Sequence, residues 1–169
     1  MSFLSTDVSV DRANDRYWRL NKPIIYKGAE DTFVVPASFL TDFASVPRFV
    51  TWLVPITGKY TEAAILHDWL CTVGIDTGVV SPVDADGILR RVAAEEGVSW
   101  LLRWLIWLGV RWGAAGNPAR RPGWWSTAPT VLPATLLVLP LLLPAVLLVL
   151  ATLGLFGIVG DLARMLGLR

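Results

Sequence analysis

Thirty-nine consecutive residues, Pro122 to Gly160, carry no charged side chain. A stretch of that kind is buried in protein or lipid, because nothing in it offsets the cost of exposing so much apolar surface to water. About 20 apolar residues at ~1.5 Å rise suffice to cross a ~30 Å hydrocarbon layer. Pro140 to Val159 is such a stretch, and Thr130 to Leu139 extends it on the N-terminal side. Prolines at 129, 133, 140 and 144 each remove a backbone donor and favour a kink. Two geometries follow: one kinked span over 140–159, or a short re-entrant hairpin. A third possibility is a core helix held dry by other subunits. In the membrane reading residues 129–160 insert. Trp124 and Trp125 form the interfacial belt, and Leu141, Leu147, Leu150 and Phe156 face lipid. Gly154, Gly157 and Gly160 recur every third residue and admit close approach of a second helix, hence an oligomer through this segment.

Upstream of this block the composition is that of a soluble domain, with 26 charges in 121 residues. The shift falls at Arg120-Arg121-Pro122-Gly123, so the chain divides into a polar arm (1–16), a domain (17–121) and a hydrophobic segment with a short polar-tipped end (122–169). Fifteen basic against 14 acidic residues leave a net charge of +1, no footprint for a nucleic-acid backbone. A single cysteine, Cys71, excludes a disulfide framework, and a single histidine, His67, excludes any two-histidine metal helix. Met1 to Asp7 has neither a basic start nor an apolar core, so no secretory leader is expected there.

Tyr17–Leu20, Ile24–Tyr26 and Thr32–Val35 are β-type runs separated by turn residues. They predict a small antiparallel sheet behind a loose arm. Residues 38–55 read as irregular. Thr61 is an N-cap candidate for a helix to about Val73. Ser81-Pro82 opens a second helix that Gly97 stops, and Ser99 caps a third, Trp100 to about Trp112. Trp100, Trp104 and Trp107 share one face of that third helix, which packs in the core or lies at lipid headgroup level. The expected fold is therefore α+β: a small antiparallel sheet, then a three-helix array, then a C-terminal transmembrane-type helical segment.

Polar residues in apolar company mark where chemistry can reside. Thr41 to Arg48 brings Asp42, Ser45 and Arg48 into an irregular segment. His67-Asp68 lies inside an apolar helix, and Asp86 lies near the start of the next. Two antiparallel helices bring Asp86 against His67. A carboxylate on one imidazole nitrogen fixes the tautomer, and the other nitrogen can then take a proton from water. Asp68, about 100° round the helix, offers oxygen to a hard cation. The expected pocket joins His67, Asp86 and Asp42 as catalytic groups, Ser45 and Arg48 in support, and Asp68 as metal ligand. The same set also satisfies a purely architectural role, with acids paired across helices.

Val35-Pro36, Phe39, the Thr-Asp-Phe-Ala-Ser-Val-Pro-Arg run at 41–48, Leu66-His67-Asp68-Trp69-Leu70 and Ala85-Asp86 resemble a domain-of-unknown-function family common in tailed phages and prophages, especially of actinobacterial hosts. The likeness covers roughly residues 17–112. It implies a context among tail or lysis genes and no particular reaction. His67-Asp68 followed by Ala85-Asp86 is also similar to the site of phospholipases of the secreted and parvoviral type. That likeness implies His67 activating water, Asp86 orienting it and Asp68 binding calcium. Cys71 stands where those enzymes carry tyrosine, and Pro47 to Thr51 has no glycine where they have a glycine-rich calcium loop.

The expectation is a phage virion protein, tail or tail-tip associated, that engages or inserts into the host membrane during genome entry. Its partners would be other tail proteins and host lipids. The alternatives are a lipid or envelope hydrolase using the His-Asp-Asp site, with Ca2+ as its implied cofactor, and a lysis-cassette membrane protein.

Overall fold

The computed structural model describes residues 2–4, 7–29, 31–44 and 46–167, with all their side chains except those of Arg48 and Leu141. Among the described residues, six short strands form two antiparallel three-stranded sheets. The first has the order β1 (Ser2–Phe3), β4 (Ile24–Lys27), β5 (Thr32–Val35), and the second β2 (Val10–Arg12), β3 (Trp18–Leu20), β6 (Leu40–Thr41). Alternation sets the faces: Ile24 and Tyr26 of β4 and Phe33 and Val35 of β5 point into the core, in the register Ile24↔Val35 and Tyr26↔Phe33. The α+β class read from the sequence is the observed one. Two details differ. There are two small sheets in place of one, and the arm expected to be loose supplies β1 and β2, with Phe3 buried against Tyr26 at 5.2 Å between ring centroids.

Three helices follow: α1 (Thr61–Trp69), α2 (Pro82–Glu95) and α3 (Trp100–Gly116). Ser81 caps α2 through Asp84 N at 3.1 Å, with Pro82 at the first position, and Ser99 caps α3 through Leu102 N. Both side chains satisfy an amide that the helix itself cannot. Thr61 is not the cap of α1. It is the first helical residue, and its hydroxyl bonds Gly58 in the preceding turn. α1 continues into a wide π-type turn, Leu70–Gly74, closed by Ile75 N to Leu70 O at 2.8 Å. The core runs from Leu20, Tyr26 and Val35 on the sheets to Ile65, Leu66 and Leu70 and on to Leu89 and Val92. Its apolar burial supplies the main drive to fold.

The hydrophobic segment is one continuous helix, α4 (Trp124–Met165), 42 residues long, so the hairpin alternative is not the one adopted. Gly123 turns the chain into it at φ 76°, where a Cβ would meet Val83 Cγ2 at 2.7 Å, so only glycine fits. The first two turns of α4 lie against α3, burying Trp124, Ala128 and Val131 beside Trp107 and Ala114. Trp124 therefore contacts protein, not lipid, because its indole donates to Arg111 O at 2.8 Å from inside the α3–α4 seam. Insertion cannot begin at residue 129 either, since Val131 is fully buried. The stretch long and apolar enough to cross a membrane is Leu142–Met165, 24 residues, with none of its most apolar window buried. Leu147, Leu150 and Phe156 are exposed within it. Trp125 is exposed but lies some 17 residues upstream of it. The tryptophan face of α3 is graded: Trp107 is buried, Trp104 half-buried under the Arg90 guanidinium at 4.1 Å, and Trp100 exposed.

Candidate functional site

The centre of the site is the Asp86 carboxylate, fully buried on the second turn of α2. α1 crosses it with His67, whose Nε2 sits 2.7 Å from Asp86 Oδ1. α3 delivers Arg111, donating from Nη1 to Oδ2 at 2.8 Å. The turn after α3 folds back on Asn117, whose carbonyl accepts from the amides of Arg120 and Arg121, and this brings Arg120 Nη2 to Oδ1 at 2.7 Å. Four segments thus meet at one carboxylate. Arg111 is further held by Thr127 on α4, at 3.1 Å from its Nε. Burial alone would raise the Asp86 pKa, but the His67 hydrogen bond and charge, the Arg120 charge and the Arg111 hydrogen bond outweigh it and hold the carboxyl below its usual range.

Burial opposes charge on His67. The hydrogen bonds to Asp86 and to Cys71 Sγ, the latter 3.4 Å from Nε2, more than offset that, and the imidazole pKa is pushed up to about 9. Nε2 faces Asp86, and no described group hydrogen-bonds Nδ1. The ring lines a cleft of about 620 Å³. This is the arrangement in which Nδ1 can act as a base once His67 is neutral.

The cleft is largely apolar. Its walls are the 43–54 segment (Phe43, Val50, Val54), α3 (Ile106, Val110) and α4 (Val138, Leu142), with His67, Asp68, Asp42 and Arg120 as its charged lining. The Tyr60 hydroxyl is buried there with no hydrogen-bond partner among the described residues.

Asp42 lines the same cleft as His67, but the ion pair it makes is with Arg16, at 3.5 Å, on the loop before β3. Arg16 supplies a guanidinium contact there, from a residue the sequence did not single out. Asp68 fastens the 41–43 segment: its carboxylate accepts from the Thr41 hydroxyl and the Asp42 amide. Burial raises its pKa, the Thr41 bond opposes that, and the nearby Asp42 charge adds to the rise. Thr41 Oγ1 in turn accepts from Phe43 N at 3.0 Å and holds Phe43 at φ 64°, a left-handed conformation rare for a bulky side chain. Ser45 lies outside the described residues, as does the side chain of Arg48, whose backbone opens a 3-10 turn, Arg48–Val50.

Calcium takes about six to eight oxygens in a flexible cage. The described oxygens at Asp68 do not make one: the carboxylate is engaged in fastening the loop, Thr41 Oγ1 accepts from the Phe43 amide, and Asp42 faces the Arg16 guanidinium. His67, Cys71 and Asp86 place ligand atoms within 4.8 Å of one another, but both Asp86 oxygens already face guanidinium groups, whose charge repels a cation. The donor set does not fit the implied metal.

Sequence reasoning brought His67 and Asp86 together but missed Arg111 and Arg120. Arg111 carried a signal: α3 holds only two charged residues, and a lone arginine on an apolar helix needs a buried partner. Arg120 carries no such signal, standing in a basic Pro/Gly breaker.

Residues 18–110 match the family described as "Protein of unknown function (DUF1353)". No curated protein and no solved structure matches the chain.

Proposed function

We infer that this chain, which belongs to the DUF1353 family of unknown function, works at a lipid bilayer. The observation that carries the reading is the C-terminal end of α4: Leu142–Met165 is 24 residues long, none of its most apolar window is buried in the body, and that length matches the thickness of a membrane core. The motifs at 41–48 and 66–70, which resemble those of tailed-phage proteins, support a phage setting. In that setting the chain is a tail or tail-tip protein that engages the host membrane during genome entry, with other tail proteins as partners. Full-length protein should float with vesicles and resist carbonate extraction, and a chain ending at Leu139 should do neither. Equal solubility of the two removes the reading. Mass spectrometry of purified virions tests the setting: absence from the particle favours the lysis-cassette alternative.

A second reading is favoured by the His67–Asp86 pair at 2.7 Å on an apolar cleft. There the chain is an ester hydrolase acting on a lipid or envelope component. His67 Nδ1 takes a proton from water, and the hydroxide attacks the ester carbonyl carbon. Arg120, which reaches the cleft, offsets charge on the oxyanion. Collapse breaks the acyl–oxygen bond, and His67 returns its proton to the leaving alkoxide. His67→Asn should abolish release of fatty acid from vesicles while the variant still folds and melts cooperatively. Unchanged release excludes this reading.

A further inference from the structure

The apolar surface of the body is not confined to α4. After the 3-10 turn Arg48–Val50, the chain to Ile56 has two faces. Val50, Leu53 and Val54 line the cleft, while Phe49, Trp52 and Ile56 point outward, 37%, 48% and 45% exposed. The Trp52 indole donates to Phe49 O at 2.9 Å, which holds the ring over its own turn and leaves one side bare.

The position of this bare face is set by α4. The 3-10 turn packs on α4, and the inward residues of the segment share the cleft with Val138, Leu139 and Leu142. Those are the last positions before, and the first position of, the stretch able to span a membrane. A helix advances ~1.5 Å per residue, so Val138 lies only about 6 Å along the axis from Leu142. The headgroup layer on each side of a bilayer is of the same thickness, roughly 5–7 Å. At this level the apolar surface continues round the rod, for Leu136 and Leu137 are 73% and 74% exposed. Tryptophan and other aromatic side chains are favoured at headgroup depth. Residues 46–60 also hold Arg48 and Lys59 and no acid, which suits an anionic leaflet.

We propose that the 48–56 segment is a second membrane contact, seated on the bilayer surface beside α4 with Phe49, Trp52 and Ile56 in the headgroup layer. The proposal rests on the reading of Leu142–Met165 as the span. It also places the open cleft at the level where lipid molecules are at hand.

The test uses the full chain carrying Cys71→Ser, reconstituted into phosphatidylcholine–phosphatidylglycerol vesicles. An environment-sensitive dye is placed in turn through Trp52→Cys, Leu150→Cys and Trp125→Cys. Quenching is read with aqueous iodide and with lipids spin-labelled near the headgroup. The dye at 52 should be severalfold less open to iodide than the dye at 125, and should be quenched by the spin-labelled lipid. If 150 is shielded by lipid while 52 is as open to iodide as 125, the second contact is overturned and the span stands. If 150 is itself open to iodide, the span fails and the proposal falls with it. A dye at 52 shielded from iodide yet untouched by the spin label means that protein covers this face, which also overturns the proposal.

Discussion

Arg111 and Asp86 are joined at 2.8 Å with both side chains entirely removed from water. Such a pair does not owe its presence to net stabilisation, since the desolvation of both ions largely cancels their attraction. Its physical consequence appears when one partner is removed. Asp86→Asn leaves Arg111 buried with its charge uncompensated, and takes the acceptor charge from Arg120 and His67 as well. The variant should lose about 3–5 kcal/mol in denaturant unfolding of the full chain in detergent. A loss under ~1 kcal/mol would mean that water reaches the hub.

The pH dependence of stability follows from the same hub. His67 is raised to about 9 in the folded chain from about 6.5 unfolded. Its contribution is therefore fully present below about pH 6.5 and is lost as pH rises through about 9. Asp86 is lowered, so its contribution is present above the unfolded value near 3.9 and disappears as pH falls through the folded one. Melting temperature should fall on both sides of a maximum at mildly acidic pH, and His67→Asn should flatten the alkaline limb and weaken the acid one, because His67 also helps lower Asp86. In the hydrolase reading the rate moves oppositely: the base must be neutral, so release of fatty acid should climb toward pH 9 while the fold weakens.

Truncation separates the two halves of α4. A chain ending at Leu139 keeps Trp124, Ala128 and Val131 on α3, and keeps Thr127 on Arg111. Ending at Arg121 removes all four. The shorter chain should be less stable by at least the roughly 3–5 kcal/mol attached to a buried tryptophan. Equal melting of the two would show that the α3–α4 seam contributes nothing to the body.

These contacts explain which parts of the molecule could be read from the sequence. α2 and α3 announce themselves because their caps, Ser81 and Ser99, act within three residues of chain. β4 and β5 do so through alternation. β1 and β6 are two residues long and exist only through pairing with distant strands, Ser2 with Lys27 and Trp18 with Thr41. No local pattern encodes that. The His67–Asp86 contact was legible because two helices joined by a short loop must pack. Arg120 was not, because its arrival depends on a turn built by Asn117. Trp124 misled because an aromatic residue ahead of an apolar run looks the same whether it faces lipid or another helix.

A surface substitution tests the backbone independently of the site. Ser38 sits at φ 69° and is exposed, and the bond it makes there is from its own amide to Leu20 O at 2.7 Å. Ser38→Gly keeps that bond and removes the steric cost of the left-handed conformation, roughly 1 kcal/mol. Melting temperature should rise by a few degrees. A fall would indicate that the lost side chain, or the added freedom of the unfolded chain, outweighs the strain.

Because α4 is unbroken from Trp124 to Met165, the molecule contains a lever. Its short arm is fixed to the Asp86 hub through the Trp124 indole and the Thr127 hydroxyl. Its middle forms one wall of the cleft at Val138 and Leu142, and its long arm projects beyond the body. Pro133, Pro140 and Pro144 each deprive a carbonyl one turn earlier of its amide, so the rod bends most easily where it passes the cleft. Any force that tilts the long arm, such as a bilayer thinner or thicker than its apolar length, is delivered there as a change in the width of the cleft. In the proposed membrane setting, the thickness of the surrounding lipid would thereby be a mechanical input to the chamber that holds His67.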